Sequence, residues 1–222
     1  MILLNIILAF YVDLLIPNKI ESSNIKESSA ICWNDGGLYV LGDSGQLGFL
    51  KDGSLVVNSF NFEDSEGLYV DENHIYITEE RSRKIVILDK NSLKKIDEKQ
   101  LFFSGRLNRG FEGITYNPIS EEFLIITEEN PCQIIKTDKD FNTLSYYDLL
   151  ISEASDLVFF ENALWVLSDI NATIYKLNPF TFNVENSWRI KVVNPEGITF
   201  SKNQMIIVSD NLEKIYYYEI PQ

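Results

Sequence analysis

Histidine is almost missing from this chain: His74 is the only one in 222 residues. Cysteine is nearly as scarce, with Cys32 and Cys132 standing one hundred residues apart. No CxxC pair exists, so zinc-ribbon and thioredoxin-type chemistry is excluded, and both thiols read as small buried apolar side chains rather than as a disulfide. Basic residues are outnumbered, 19 Lys and Arg against 33 Asp and Glu, for a net charge of −14. A nucleic-acid footprint needs a basic face, so nucleic acid is excluded as the partner. No apolar run is long enough to span a bilayer, since the longest begins at Met1 and stops at Asp13. Residues 1–10 are open to two readings, a signal or anchor remnant or a strand. Residues 11–222 read as one domain. There is no GxSxG elbow, no P-loop and no dinucleotide fingerprint.

What the chain does have is aromatic and β-branched residues: 3 Trp, 11 Tyr and 14 Phe, with plentiful Ile and Val. These favour strands, and they exclude disorder. The strands come in repeats. A small or acidic pair followed by alternating apolar residues recurs as Ser29-Ala30-Ile31, Glu66-Gly67-Leu68, Glu112-Gly113-Ile114, Ser155-Asp156-Leu157 and Glu196-Gly197-Ile198. Successive markers are 37, 46, 43 and 41 residues apart. That is the length of a four-stranded propeller blade.

A second pattern ends in a small residue and an acid: Gly42-Asp43, Thr78-Glu79, Thr127-Glu128, Ser168-Asp169 and Ser209-Asp210. It follows the markers at offsets of 14, 13, 16, 14 and 14, with turn formers in between, so each unit opens with a hairpin. The fifth unit ends after its third strand. Tyr11–Ile16 resembles an orphan fourth strand, and pairing it with the last unit would close a five-bladed ring. The expected fold is therefore all-β, a five-bladed propeller whose last blade is completed by an N-terminal strand.

In such a ring the first strands line the central channel and begin at one mouth. Glu66, Glu112, Asp156 and Glu196 are expected to meet there, with Ser29 in the remaining place. At about 7 Å and an effective dielectric of about 20, each carboxylate pair repels by roughly 2.4 kcal/mol. Four carboxylates make six pairs, so the unrelieved repulsion is on the order of 10 kcal/mol. Protonation, water or a cation must relieve it. Oxygen ligands without His or Cys point to calcium, with Glu27 and Glu153 as further candidate ligands or supports. The alternative is that the acids cap neighbouring strands and hold no metal. The acids of the second pattern, Asp43, Glu79, Glu128, Asp169 and Asp210, read as turn caps.

Arginine is uneven. Arg81, Arg83, Arg106 and Arg109 cluster in two loops expected on the same face as the acids. Beside a cation they would suit an anionic ligand; the alternative is that they pair with Glu79, Glu80 and Glu112. His74 is expected in a hairpin at the other face, which excludes a histidine base or triad at the mouth. Any catalysis would then need metal-bound water and a carboxylate base.

Asn108-Arg109-Gly110-Phe111-Glu112-Gly113-Ile114, Glu128-Glu129-Asn130-Pro131 and the Ser155-Asp156-Leu157 and Ser168-Asp169 pair resemble the SdiA-regulated (YjiK-like) family, from about Tyr11 to the C-terminus. The resemblance implies a five-bladed propeller distantly similar to NHL-repeat propellers, a calcium site at one mouth, and an extracytoplasmic setting, periplasmic or attached to the inner membrane through the N-terminus. The functional expectation is a monomeric calcium-binding propeller that takes a small anionic ligand or a protein partner at the metal-bearing mouth. The alternatives are a calcium-dependent phosphoesterase or lactonase and a purely structural interaction scaffold.

Overall fold

A computed structural model describes residues 13–106 and 108–222. The expectation for residues 1–10 lies outside them. Strands fall into five sheets, antiparallel but for one short edge strand, and no helix occurs among the described residues. The four strands of blade 1 are Ser28–Asn34, Gly37–Gly42, Gln46–Lys51 and Ser54–Ser59. Blade 2 runs Ser65–Val70, His74–Glu79, Lys84–Asp89 and Lys95–Gln100, and blade 3 runs Phe111–Asn117, Glu122–Thr127, Gln133–Thr137 and Thr143–Asp148. Blade 4 is Asp156–Phe160, Ala163–Ser168, Thr173–Leu177 and Val184–Ile190. Blade 5 opens with Pro195–Phe200, Met205–Ser209 and Lys214–Tyr218. The first strand of each blade packs on that of the next, and blade 5 returns to blade 1.

The hairpins follow from local chemistry. Glu161 and Asn162, between the first two strands of blade 4, both hold positive φ, 46° and 60°, which gives the turn a twist that matches the strands it joins. Each strand alternates side chains between two faces, and both faces meet a neighbouring blade. Five apolar clusters result, one per blade interface; Trp165, Trp188, Phe200 and Tyr218, for example, fill the seam between blades 4 and 5. Cys32 and Cys132 are buried and unpaired, and burial pushes both thiols up to about 12.

The strand that completes blade 5 is Lys19–Ser22, paired antiparallel with Lys214–Tyr218. This corrects the expectation that residues 11–16 do so. Leu14–Leu15 pairs instead with Arg189 and Ile190 in parallel, at the outer edge of blade 4. The apolar-rich segment made the more obvious strand, but its place is a capped edge. Lys19-Ile20-Glu21-Ser22 shows little apolar alternation because this outer strand is largely exposed on both faces.

Candidate functional site

The first strands do more than start at one mouth. In blades 1, 2, 3 and 5 the ladder between first and second strands skips a residue, at Ser29, Glu66, Glu112 and Glu196. A bulge leaves one residue unpaired and re-aims its side chain. Here it turns Glu66, Glu112 and Glu196 into a cavity of ≈ 260 Å³ at the channel mouth. Ten carboxylates line that cavity, with Arg81 as its one basic residue. An inner set comes from the three bulged glutamates. An outer set, Asp43, Glu80, Glu128, Asp169 and Asp210, ends the second strands, and Asp64 and Glu153 come from the approaching loops.

Asp156, expected among the metal ligands, does not line that cavity. Its blade shows no such skip, and Asp156 pairs directly with Leu167. Asp156 occupies the position that glycine holds in blades 2, 3 and 5, one residue past the marker, so its side chain points between blades. Oδ1 accepts the Leu157 N–H at 2.7 Å and Oδ2 accepts the Ile198 N–H at 2.8 Å, tying blade 4 to blade 5. A methyl group on Gly113 would stand 2.5 Å from Asp156 Oδ1, which is why a side chain is not tolerated at that neighbouring position. Ser155 takes the marker place; it lines the cavity and donates to the Pro195 C=O at 3.0 Å. Ser29 donates to the Ser65 C=O at 2.6 Å and does not line the cavity. Nor does Glu27, whose backbone C=O accepts the Asp43 N–H.

The outer set holds most of the acids expected to cap turns. Asp43, Glu128, Asp169 and Asp210 face the mouth rather than serving only as turn caps. Glu79 does cap: its Oε1 accepts the Glu63 N–H and its Oε2 the Ser82 hydroxyl. The member missed in blade 2 is Glu80, and the signal was present. Glu80 follows the Glu66 marker by 14 residues, as in three other blades, whereas Glu79 gave the odd offset of 13.

Burial and mutual repulsion disfavour the charged forms of several of these acids. Burial first, then Asp169 and Asp210, pushes Glu196 up to about 8. Glu153, only 2% exposed, is raised to about 8 by burial and by Asp169, against the Ser168 hydroxyl that it accepts at 2.6 Å. Glu80 is raised to about 7 and Asp43 to about 6, both chiefly by burial. Glu66 and Glu112 are driven well above the carboxylate range by burial and by each other's neighbours.

Three of these groups converge. One carboxylate oxygen from each of Glu80, Glu112 and Glu128 lies within 4.8 Å of the others. Glu80 accepts the Gly110 N–H at 3.0 Å, and Arg109 engages Glu128. Glu112, 8% exposed, has no donor among the described residues. An all-oxygen set with a buried carboxylate lacking a partner fits a hard divalent cation.

The arginines divide. Arg81 reaches the mouth and pairs with Asp64 at 2.7 Å. Arg109 bridges Glu128 and Glu129. Arg83 is placed elsewhere, its guanidinium donating to the Phe103 and Gly105 carbonyls and stacking 5.4 Å from the Phe103 ring. Arg106 contributes only its backbone C=O, an acceptor for Arg83. His74 stands at the opposite end of blade 2, in a separate cleft with Tyr69, Tyr76 and Tyr116. No helix among the described residues is long and apolar enough to cross a membrane.

Known structures share the ring. A glutaminyl cyclase from Myxococcus xanthus superposes with a TM-score of 0.75 at 10% identity, covering 95% of this chain and 100% of that one. A streptogramin B lyase gives 0.56 at 20% identity over 92% and 74% of the two chains, and a virginiamycin B lyase from Staphylococcus aureus gives 0.55 at 17% over 92% and 75%. At these identities the likeness concerns the fold alone. No curated protein matches the sequence. The family model for SdiA-regulated proteins matches residues 25–218, every blade strand except the closing Lys19–Ser22, and the chain belongs to that family.

Proposed function

We propose that this propeller binds calcium at its acidic mouth and uses the loaded face to take an anionic ligand or a protein partner. The convergence of Glu80, Glu112 and Glu128 carries the reading. Calcium prefers six to eight oxygen ligands in flexible geometry, and the surrounding carboxylates offer further oxygens or hold bound water. The ion would supply the positive charge that ten acids and one arginine lack. With it in place, Arg81 and Arg109 stand at the same mouth and favour a carboxylate or phosphate on the incoming molecule. An extracytoplasmic setting, where free calcium is abundant, suits such a site.

The test is thermal unfolding in excess EDTA and then in millimolar calcium. For a dissociation constant one hundredfold below the free calcium concentration, linkage adds about 2.7 kcal/mol. For a chain of this size that raises the melting temperature by roughly 5–10 °C. Glu112→Gln removes a buried carboxyl whose ionisation is disfavoured by its neighbours, and one ligand. It is expected to melt higher than the parent in EDTA and to lose the calcium response. No calcium shift in the parent protein refutes the reading.

A further inference from the structure

Glu128 differs from its two partners in the triad because a cation of the protein's own already holds it. Arg109 Nη1 contacts Glu128 Oε1, and Arg109 Nε lies 3.2 Å from Glu129 Oε1. The next residue fixes the rest. The Gly110 N–H donates to Glu80 Oε1 at 3.0 Å, and the Gly110 C=O accepts the Glu128 N–H at 3.2 Å. One short segment therefore holds two of the three acids that flank the convergence point, by backbone at Glu80 and by charge at Glu128. Glu112, between them, is left without a donor among the described residues.

We propose that Arg109 is a built-in competitor for the cation, sharing Glu128 with it and setting the affinity of the site. The inference rests on the calcium reading above. A guanidinium and a divalent ion on one carboxylate repel each other, and repulsion at contact distance is strong at the edge of a protein. Glu128 can give its oxygen to calcium only as Arg109 withdraws. Two features make withdrawal cheap. Glu129 remains as an anchor on the other arm of the fork, and the Arg109 side chain is 42% exposed, so water replaces the lost contact. Arg109 is a positioning residue here, acting through Glu128.

Calorimetric titration of calcium into the EDTA-stripped full chain tests this, with Arg109→Gln, Arg109→Lys and the parent protein compared at one ionic strength. Loss of the charge in Arg109→Gln is expected to tighten calcium binding at least tenfold, while Arg109→Lys stays within about threefold of the parent. A merely structural role would weaken binding in both variants and would not be rescued by lysine. Should Arg109→Gln fail to fold, Arg109→Met keeps the apolar stem and removes the same charge. Equal or weaker binding in the neutral variant, with the parent still binding, overturns the inference and leaves the calcium reading intact. Binding in the neutral variant alone, with none in the parent, overturns the calcium reading for this protein and the inference with it. Absence of binding in every variant and in the parent overturns both.

Discussion

Without calcium, the stability of this protein is expected to fall as pH rises through neutrality, opposite to the usual behaviour of a carboxylate-rich protein on leaving acid. Glu153 and Glu196 have folded-state values of about 8 against 4.5 for an ordinary glutamate, because burial and neighbouring acids disfavour the charged form. Between those values the folded state holds protons that the unfolded chain has released. The slope of unfolding free energy with pH follows the protons bound unfolded minus folded, which is negative here. The contribution is fully favourable below about pH 4.5 and is lost as pH passes 8. At about 1.4 kcal/mol per pKa unit, two independent groups would lose roughly 9 kcal/mol across that window. Water entering the open mouth and shared relief between neighbours reduce this to about 3–5 kcal/mol between pH 5 and 8. For a chain of this length that is a drop of about 10 °C in melting temperature. Calcium binds the ionised forms, so its stabilisation should grow over the same window. Melting in EDTA at constant ionic strength from pH 5 to 8 measures it. A flat or rising profile would show that the mouth acids are ionised at little cost, and would remove the reason for a cation.

Two substitutions separate the wall of the site from its contents. Asp156→Ala orphans the Leu157 and Ile198 amides, so it should destabilise by about 2–4 kcal/mol while leaving the calcium shift intact; a folded variant that has lost the shift would return Asp156 to the ligand set. Gly110→Ala places a methyl 2.3 Å from the Glu80 backbone oxygen, forcing the loop that holds Glu80 outward. Weaker calcium binding is expected at little loss of far-ultraviolet circular dichroism, and unchanged affinity would show that Gly110 does not position Glu80.

The ring itself was legible because blade periodicity is written in apolar alternation and turn residues, both local properties. The site was legible only in part, for a reason that Asp156 and Glu80 make plain. Side chains in a strand change face with each residue, so an error of one position moves a candidate ligand from channel to blade interface. Ser155-Asp156 contains an acid where other blades have Glu-Gly, and residue type drew the assignment to Asp156. Alignment to the marker would have chosen Ser155. At Glu79-Glu80 two adjacent acids offered themselves, and only the offset of 14 shared with blades 1, 4 and 5 distinguishes the one that faces the mouth. The Arg109 contact with Glu128 joins residues 19 apart across a hairpin, and no periodic signal announces such a pair.

The triad draws its three acids from only two of the five blades. Five equivalent blades would present five equivalent acids around the axis, and a cation would sit at their midpoint. Here blade 1 offers Ser29 and blade 4 offers Ser155, each donating to the strand beside it, so the inner ring is broken at two places. Blade 3 supplies both an inner and an outer acid, Glu112 and Glu128, and blade 2 adds Glu80. Gly110 links two of these three, bonding Glu80 with its N–H and the backbone of Glu128 with its C=O. Blade 3 also has the longest marker offset, 16 residues from Glu112 to Glu128. Site position is thus set by departures from repeat symmetry, while the repeat itself provides the channel and the remaining acids that raise the local negative potential.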